Sequence, residues 1–355
     1  MTEQPEGPID RLSSIPAYRA GRGAPRGAYK LSSNEIPFPP LPGVVAAICD
    51  AAADVNRYPD FGVTTLVDAL AARHSVPTEC IAVSTGSVAV LQAICSAFAA
   101  AGDDVVYAWR SFEAYPIVVA VSGATPVPVA LRADGAHDLD AMADAITGRT
   151  RVVVLCSPNN PTGVVIDGDA LGDFLGRVPP DVLVVLDEAY VEFVRATSAI
   201  DGLVLLRDHR NLVVLRTFSK AYGLAGLRVG YAVGSARIAT GIRKAQLPFG
   251  VTSVAERAAL ASLAVEPELL ERVAVVVGER QRVGGRLREL GWSVPPTEAN
   301  FVWLALGPQA LPFAAACEDA GIVVRPFAHE GVRVTIGEPH ANDRFLAVAQ
   351  TWRRR

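Results

Sequence analysis

Short runs that are apolar at nearly every position, not at alternate ones, recur through the middle of the chain. They fall at 81–84 (IAVS), 104–108 (DVVYA), 125–130 (TPVPVA), 151–156 (RVVVLC), 182–186 (VLVVL) and 212–216 (LVVLR). Their length and Val/Ile enrichment predict strands buried on both faces of a mostly parallel sheet. Segments of helical period lie between several of them, as at 87–101 and 138–146. That alternation predicts an α/β core with its ligand at the carboxyl ends of the strands. After residue 250 the texture changes. A long helical stretch covers roughly 252–290, strand-like runs follow at 301–304, 322–325 and 331–336, and a helix is expected around 310–319. This is the pattern of a smaller α+β domain. Residues 1–43 are rich in Pro and Gly, including PFPPLPG at 37–43, and read as an extended arm without regular structure.

At 355 residues the chain exceeds what one hydrophobic core fills, so two lobes are expected. Half the residues are apolar and a fifth charged, the balance of a soluble globular enzyme. A net charge of −4 supplies no long-range attraction for nucleic acid or anionic lipid. Five cysteines and five histidines are scattered without CxxC or HxxxH spacing, which argues against a metal site and suits reduced thiols in a cytoplasm. The start MTEQPEGPID lacks the features of a signal peptide, and no apolar stretch nears the about 18 residues of a membrane span. No basic or helix-turn-helix head precedes residue 40, as a DNA-binding regulator would need.

Four segments carry candidate chemistry. In VVLRTFSKAYGLAGLRVGY (213–231), Lys220 follows a strand exit, where burial or flanking cations could make it nucleophilic, and Arg228 could clamp a phosphate. Read alone, Lys220 could equally be a solvated surface lysine. Asp187 ends the apolar run of VLVVLDEAYVEF (182–193); its carboxylate could pair with a buried cation such as a pyridinium or cap a helix. SPNNPTG (157–163) places Asn160 on a turn after a strand, as a hydrogen-bond donor or a plain turn residue. STGSVAVLQ (84–92) puts Gly86 and Ser87 between a strand and a helix, where free N–H groups can cradle a phosphate.

Taken together and in this order, the segments resemble the fold type I pyridoxal-phosphate (PLP) aminotransferases. The likeness is to their histidinol-phosphate aminotransferase-like branch and extends from KLSSNE at 30–35 to GVRVTIG at 331–337. The resemblance implies a large PLP-binding domain over 41–255, a small C-terminal domain over 256–355, and residues 1–40 as an arm contributing to the small domain. It implies Lys220 as the catalytic Schiff-base lysine, which also moves the substrate proton. Asp187 would pair with the ring nitrogen, Asn160 and Tyr190 would hold the ring oxygen, and Phe112 would stack on the ring. Gly86, Ser87, Val88, Thr217, Ser219 and Arg228 would surround the phosphate. Tyr58 would reach the cofactor phosphate of a partner subunit, making a homodimer with shared sites. Arg333 would clamp the substrate's anionic group, with Tyr18 and Asn34 at substrate-loop positions.

Two departures bear on substrate. Gly86-Ser87-Val88-Ala89 stands where the histidinol-phosphate enzymes usually carry GSDE, and Tyr18 is followed by Arg19-Ala20-Gly21 instead of the YxPG pattern. WRSFEAYP at 109–116, like GSVA, is similar to the actinobacterial aromatic (phenylalanine) aminotransferases. The expected pair is therefore an aromatic amino acid and 2-oxoglutarate. Histidinol phosphate is the alternative, and a decarboxylase of phosphorylated amino acids a more distant one.

Overall fold

The computed structural model describes Leu12, Ile15, Tyr18, Gly21 and residues 23–199 and 201–353. The rest of the expected arm before residue 23, including Arg19 and Ala20, lies outside the described residues, as do Arg354 and Arg355.

Eleven strands run in chain order among the described residues: β1 (Tyr29–Leu31), β2 (Ile81–Ser84), β3 (Asp104–Trp109), β4 (Thr125–Ala130), β5 (Thr150–Cys156), β6 (Leu183–Asp187), β7 (Leu212–Thr217), β8 (Gly230–Gly234), β9 (Phe301–Ala305), β10 (Ile322–Phe327) and β11 (Gly331–Thr335). Seven of them form one sheet in the order β2-β8-β7-β6-β5-β3-β4. All neighbours in it are parallel except those of β8, which is antiparallel to both β2 and β7. The expected mostly parallel sheet is thus present and all six anticipated runs are strands, but β4, at the edge of the sheet, has no buried residue and departs from the expected burial on both faces. Alternate residues feed different cores. Val152, Val154, Val185, Val213 and Leu215 pack under the helices Ser87–Phe98 and Ala236–Ala245. Val153, Leu155, Val184 and Leu186 pack on the opposite face with the helix Gly168–Arg177. Burial on both sides explains why polar alternation is missing from these segments.

The second sheet has the order β1-β10-β11-β9, with β1 parallel to β10 and the other pairs antiparallel. Here two expectations need correction. Tyr29–Leu31 is a regular strand, not extended arm: residues 28–36 contain neither Pro nor Gly, so nothing there blocks sheet pairing. The helical stretch over 252–290 is two helices, Ser253–Ala264 and Glu266–Glu289. Pro267 cannot continue a preceding helix, since it lacks the N–H and its ring collides with the carbonyl one turn back. The chain therefore breaks at Val265 (φ −115°, ψ 24°) and restarts with the proline in the first turn. Among the described residues no helix is long and apolar enough to cross a membrane.

Candidate active site

Three adjacent parallel strands end side by side: Cys156 of β5 pairs with Asp187 of β6, and Asp187 with Leu215 of β7. The turns beyond these ends carry Asn160 and Lys220. A cavity of about 630 Å³ opens there, walled on its far side by the second sheet.

Asp187 is 5 % exposed, and its Oδ2 accepts a hydrogen bond from the Tyr115 hydroxyl at 2.8 Å. Its Oδ1 is buried and has no hydrogen-bond partner. Burial pushes this carboxyl up to about 6, opposed by the Tyr115 hydroxyl, the Ala189 N–H and the charge of Lys220. An acceptor buried without a partner costs free energy, so the site is built for a donor, best a cationic one. The helix-cap alternative for Asp187 is not what the structure shows: it is the last residue of its strand.

Lys220 Nζ donates to the Ser33 carbonyl at 3.1 Å and stands 5.8 Å from the centre of the Tyr190 ring. Burial, then the positive charge of Arg333, lower its ammonium to about 7, with Glu35 opposing and Arg228 adding to the effect. A lysine so placed is partly neutral near physiological pH, the state a nucleophile or base needs.

Beside it, Asn160 Oδ1 accepts from Arg333 Nη1 at 2.6 Å, which leaves the amide NH2 as the group able to donate elsewhere. Tyr190 OH accepts from Asn34 Nδ2 at 2.9 Å, so its own proton is available. Burial drives the Tyr190 hydroxyl well above its ordinary range and keeps it protonated. Asn34 is held in turn: its Oδ1 accepts from Thr335 Oγ1 at 3.0 Å and its carbonyl from Asn300 Nδ2 at 3.1 Å.

An anion cup forms at the start of the helix Ser87–Phe98. Gly86 precedes it with φ 90° and ψ 161°, and no side chain caps the helix. The first N–H groups of any helix lack internal partners, and here the first two residues, Ser87 and Val88, line the cavity. Arg228 Nη1 donates to Ser219 Oγ at 3.2 Å, and Thr217 Oγ1 accepts from the Ser219 N–H at 3.1 Å, fixing the turn. β8 brings these parts together: a Cβ on Gly230 would lie 2.5 Å from the Ser87 nitrogen.

The remaining expected residues divide. Phe112 lines the cavity, with ring contacts to Tyr115 (5.7 Å) and Tyr18 (6.4 Å). Arg333 is 7 % exposed; its Nη2 donates to the Ser32 carbonyl at 2.7 Å and its Nε is buried without a partner. Tyr58 is not with them. It is 84 % exposed and packs on Phe249 at 4.9 Å, outside the cavity.

Sequence reading missed Arg325, Glu113 and Phe327. Arg325 is directly opposite Arg333 across the β10–β11 pair, so both reach the same face. Arg325 Nη2 meets Glu113 Oε2 at 2.6 Å, while Arg110 forms an ion pair with Glu330 and stacks at 4.1 Å from the Trp109 ring centre. The signal was present in the symmetry of RPFAHEGVR about His329, a hairpin that places the two arginines in register.

The chain matches the family "Aminotransferase class I and II" over residues 27–348. It is 56 % identical over 346 residues to the aromatic amino acid aminotransferase of Streptomyces avermitilis, covering 97 % of this chain and 96 % of that one. A Thermobifida fusca protein of the same description is 57 % identical over 347 residues, with 97 % and 96 % covered. Among solved structures, histidinol-phosphate aminotransferase from Sinorhizobium meliloti in complex with pyridoxal-5′-phosphate is similar, with a TM-score of 0.88 and 29 % identity, covering 100 % of this chain and 99 % of that one.

Proposed function

Since the chain belongs to the class I and II aminotransferases, we propose that it is a PLP enzyme transferring the amino group of an aromatic L-amino acid to 2-oxoglutarate. The observation that carries the cofactor assignment is the buried, unpartnered Oδ1 of Asp187 in the cavity that also holds Lys220 and the anion cup. A protonated ring nitrogen is the donor that this oxygen lacks. When bound, PLP supplies a carbonyl that takes up the amino group and a ring that draws electrons from the substrate α-carbon.

The side chains then have distinct tasks. Asp187 holds the proton on the ring nitrogen. Asn160 and Tyr190 donate to the ring oxygen, and Phe112 covers one face. Ser87 and Val88 N–H groups, with Thr217, Ser219 and Arg228, hold the phosphate, and Gly86 lets the backbone turn into that cup. Lys220 would hold the cofactor at its carbonyl end, and its amine would be the base that takes the proton from the substrate α-carbon. Arg333 receives the carboxylate, with Tyr18 and Asn34 shaping the surrounding loop.

The aromatic substrate is supported by the rings of Phe112, Phe327 and Tyr18 around the cavity and by the engagement of Arg325 with Glu113. The descriptions of the relatives at 56–57 % identity support it too. Arg325 also favours a second reading, histidinol phosphate, whose dianion could draw the guanidinium from Glu113. The same proposal includes a homodimer, in which the exposed Tyr58, Phe61, Leu247 and Phe249 meet a partner and Tyr58 contacts its cofactor phosphate. It also includes the division into 1–40, 41–255 and 256–355, and a cytoplasmic location, which five free cysteines suit.

The test is steady-state turnover of the PLP-loaded protein with phenylalanine, tyrosine or tryptophan and 2-oxoglutarate, measuring 2-oxo acid and glutamate. Equimolar products that disappear in Lys220→Ala are expected. Absence of turnover with all three would refute the aromatic reading.

A further inference from the structure

The helix Ala114–Ser122 starts just after Phe112, and its second residue, Tyr115, is fully buried. Two contacts leave that side chain in useful directions. Its hydroxyl donates to Asp187 Oδ2 at 2.8 Å. Its ring meets the Phe112 ring edge-to-face, with centroids 5.7 Å apart and planes at 84°. Tyr107 of β3 packs against it at 6.2 Å and holds it from behind.

If packing were its whole purpose, phenylalanine would serve there and spare the burial of a hydroxyl. Its partner is instead the carboxylate that lines the cavity and whose other oxygen is buried without a donor. Anchoring Oδ2 fixes the carboxylate plane, and with it the direction of Oδ1. A hydroxyl bond to a carboxylate also favours the ionised form, against the burial that drives Asp187 toward protonation; Tyr115 leads the influences on that side.

We propose that Tyr115 is a positioning residue for the cofactor ring: one side chain orients the carboxylate that receives the ring nitrogen and braces the Phe112 ring that covers its face. The proposal rests on the roles given above to Asp187 and Phe112. In it, the proton stays on the ring nitrogen because Asp187, already bonded to Tyr115, is the weaker base. Without the hydroxyl the carboxylate turns and competes for that proton.

The experiment uses full-length protein reconstituted with PLP labelled with nitrogen-15 in the ring. Wild type, Tyr115→Phe, Asp187→Asn and the double variant are compared by the ring-nitrogen resonance, PLP affinity, kcat and KM. Tyr115→Phe should move the resonance toward its unprotonated position. It should lower kcat by about tenfold to hundredfold, the size of one charge-assisted hydrogen bond, with little change in KM. In the Asp187→Asn background the same change should add nothing. Incorporation of 3-fluorotyrosine at 115, a stronger donor of nearly equal shape, should move the resonance the other way and tests the hydroxyl even if Tyr115→Phe folds poorly. A resonance and kcat at wild-type values in Tyr115→Phe, no response to 3-fluorotyrosine, or an equal loss in both backgrounds would reduce Tyr115 to packing. If Asp187→Asn itself leaves the resonance unmoved, the failure lies in the role of Asp187, and the proposal falls with it.

Discussion

Replacing Gly86 by alanine should separate cofactor affinity from folding. At φ 90° and ψ 161°, Gly86 occupies a backbone region that residues with a Cβ rarely enter, at a cost of about 1–3 kcal/mol. The added Cβ would also lie 2.6 Å from Arg228 Nη2 and 3.2 Å from its Cζ. A guanidinium at the end of a flexible side chain can retreat, but retreat takes it away from the cup and from Ser219. Losing one charge-assisted contact to a phosphate costs about 1.5–3 kcal/mol. The apoprotein should therefore lose roughly 1–3 kcal/mol of stability, and PLP should bind roughly tenfold to 150-fold more weakly. Denaturant melts of the apoprotein give the first quantity; a PLP titration followed by absorbance gives the second. Gly226→Ala is the control, since its Cβ would meet nothing within 4 Å although the residue lies two positions from Arg228, in a neighbouring pocket. PLP affinity unchanged in Gly86→Ala would refute the reasoning and remove Arg228 from the cup.

Other expectations follow from the same geometry. Arg333→Ala should raise KM for the amino acid by roughly tenfold to hundredfold while PLP affinity changes far less; an unchanged KM would assign the carboxylate to another group. The apoprotein should grow more stable as pH rises between about 7 and 10.5. In that window Lys220 has shed its proton in the folded state but retains it when unfolded, so the slope is at most about 1.4 kcal/mol per pH unit. Below pH 7 both states are protonated and the full cost remains; Lys220→Met should flatten the slope, and a slope unchanged in that variant contradicts the cause. Mixing inactive Tyr58 and Lys220 variants should restore part of the activity through heterodimers carrying one intact site, whereas no recovery would count against shared sites.

Much of the large sheet was legible because burial on both faces leaves an unbroken apolar signature in its inner strands, as in β5, β6 and β7. Asn160, Asp187 and Lys220 converge because β5, β6 and β7 are parallel neighbours whose carboxyl ends coincide. What stayed hidden depends on pairing across long sequence separations. Tyr115 finds Asp187 across 72 residues, and as a tyrosine in an apolar helix it could not be told from core packing. Arg325 faces the site through the register of a hairpin, which the linear pattern does not state. β8 was read only as part of the GLRVGY motif, yet its antiparallel insertion between β2 and β7 is what sets Arg228 beside Gly86. Strand β1 escaped because proline and glycine on either side dominated the composition of its region. Tyr58 stands apart from the cavity in a single chain, and the role proposed for it requires a second copy.

The central claim, amino transfer from an aromatic substrate, is tested most directly by a half-reaction. PLP-loaded protein is mixed rapidly with phenylalanine or with histidinol phosphate, without an acceptor, and the loss of the bound-cofactor absorbance is followed. Rapid loss with phenylalanine and none with histidinol phosphate is the expected result. Rapid loss with histidinol phosphate alone would contradict it and make Arg325 a phosphate ligand released from Glu113.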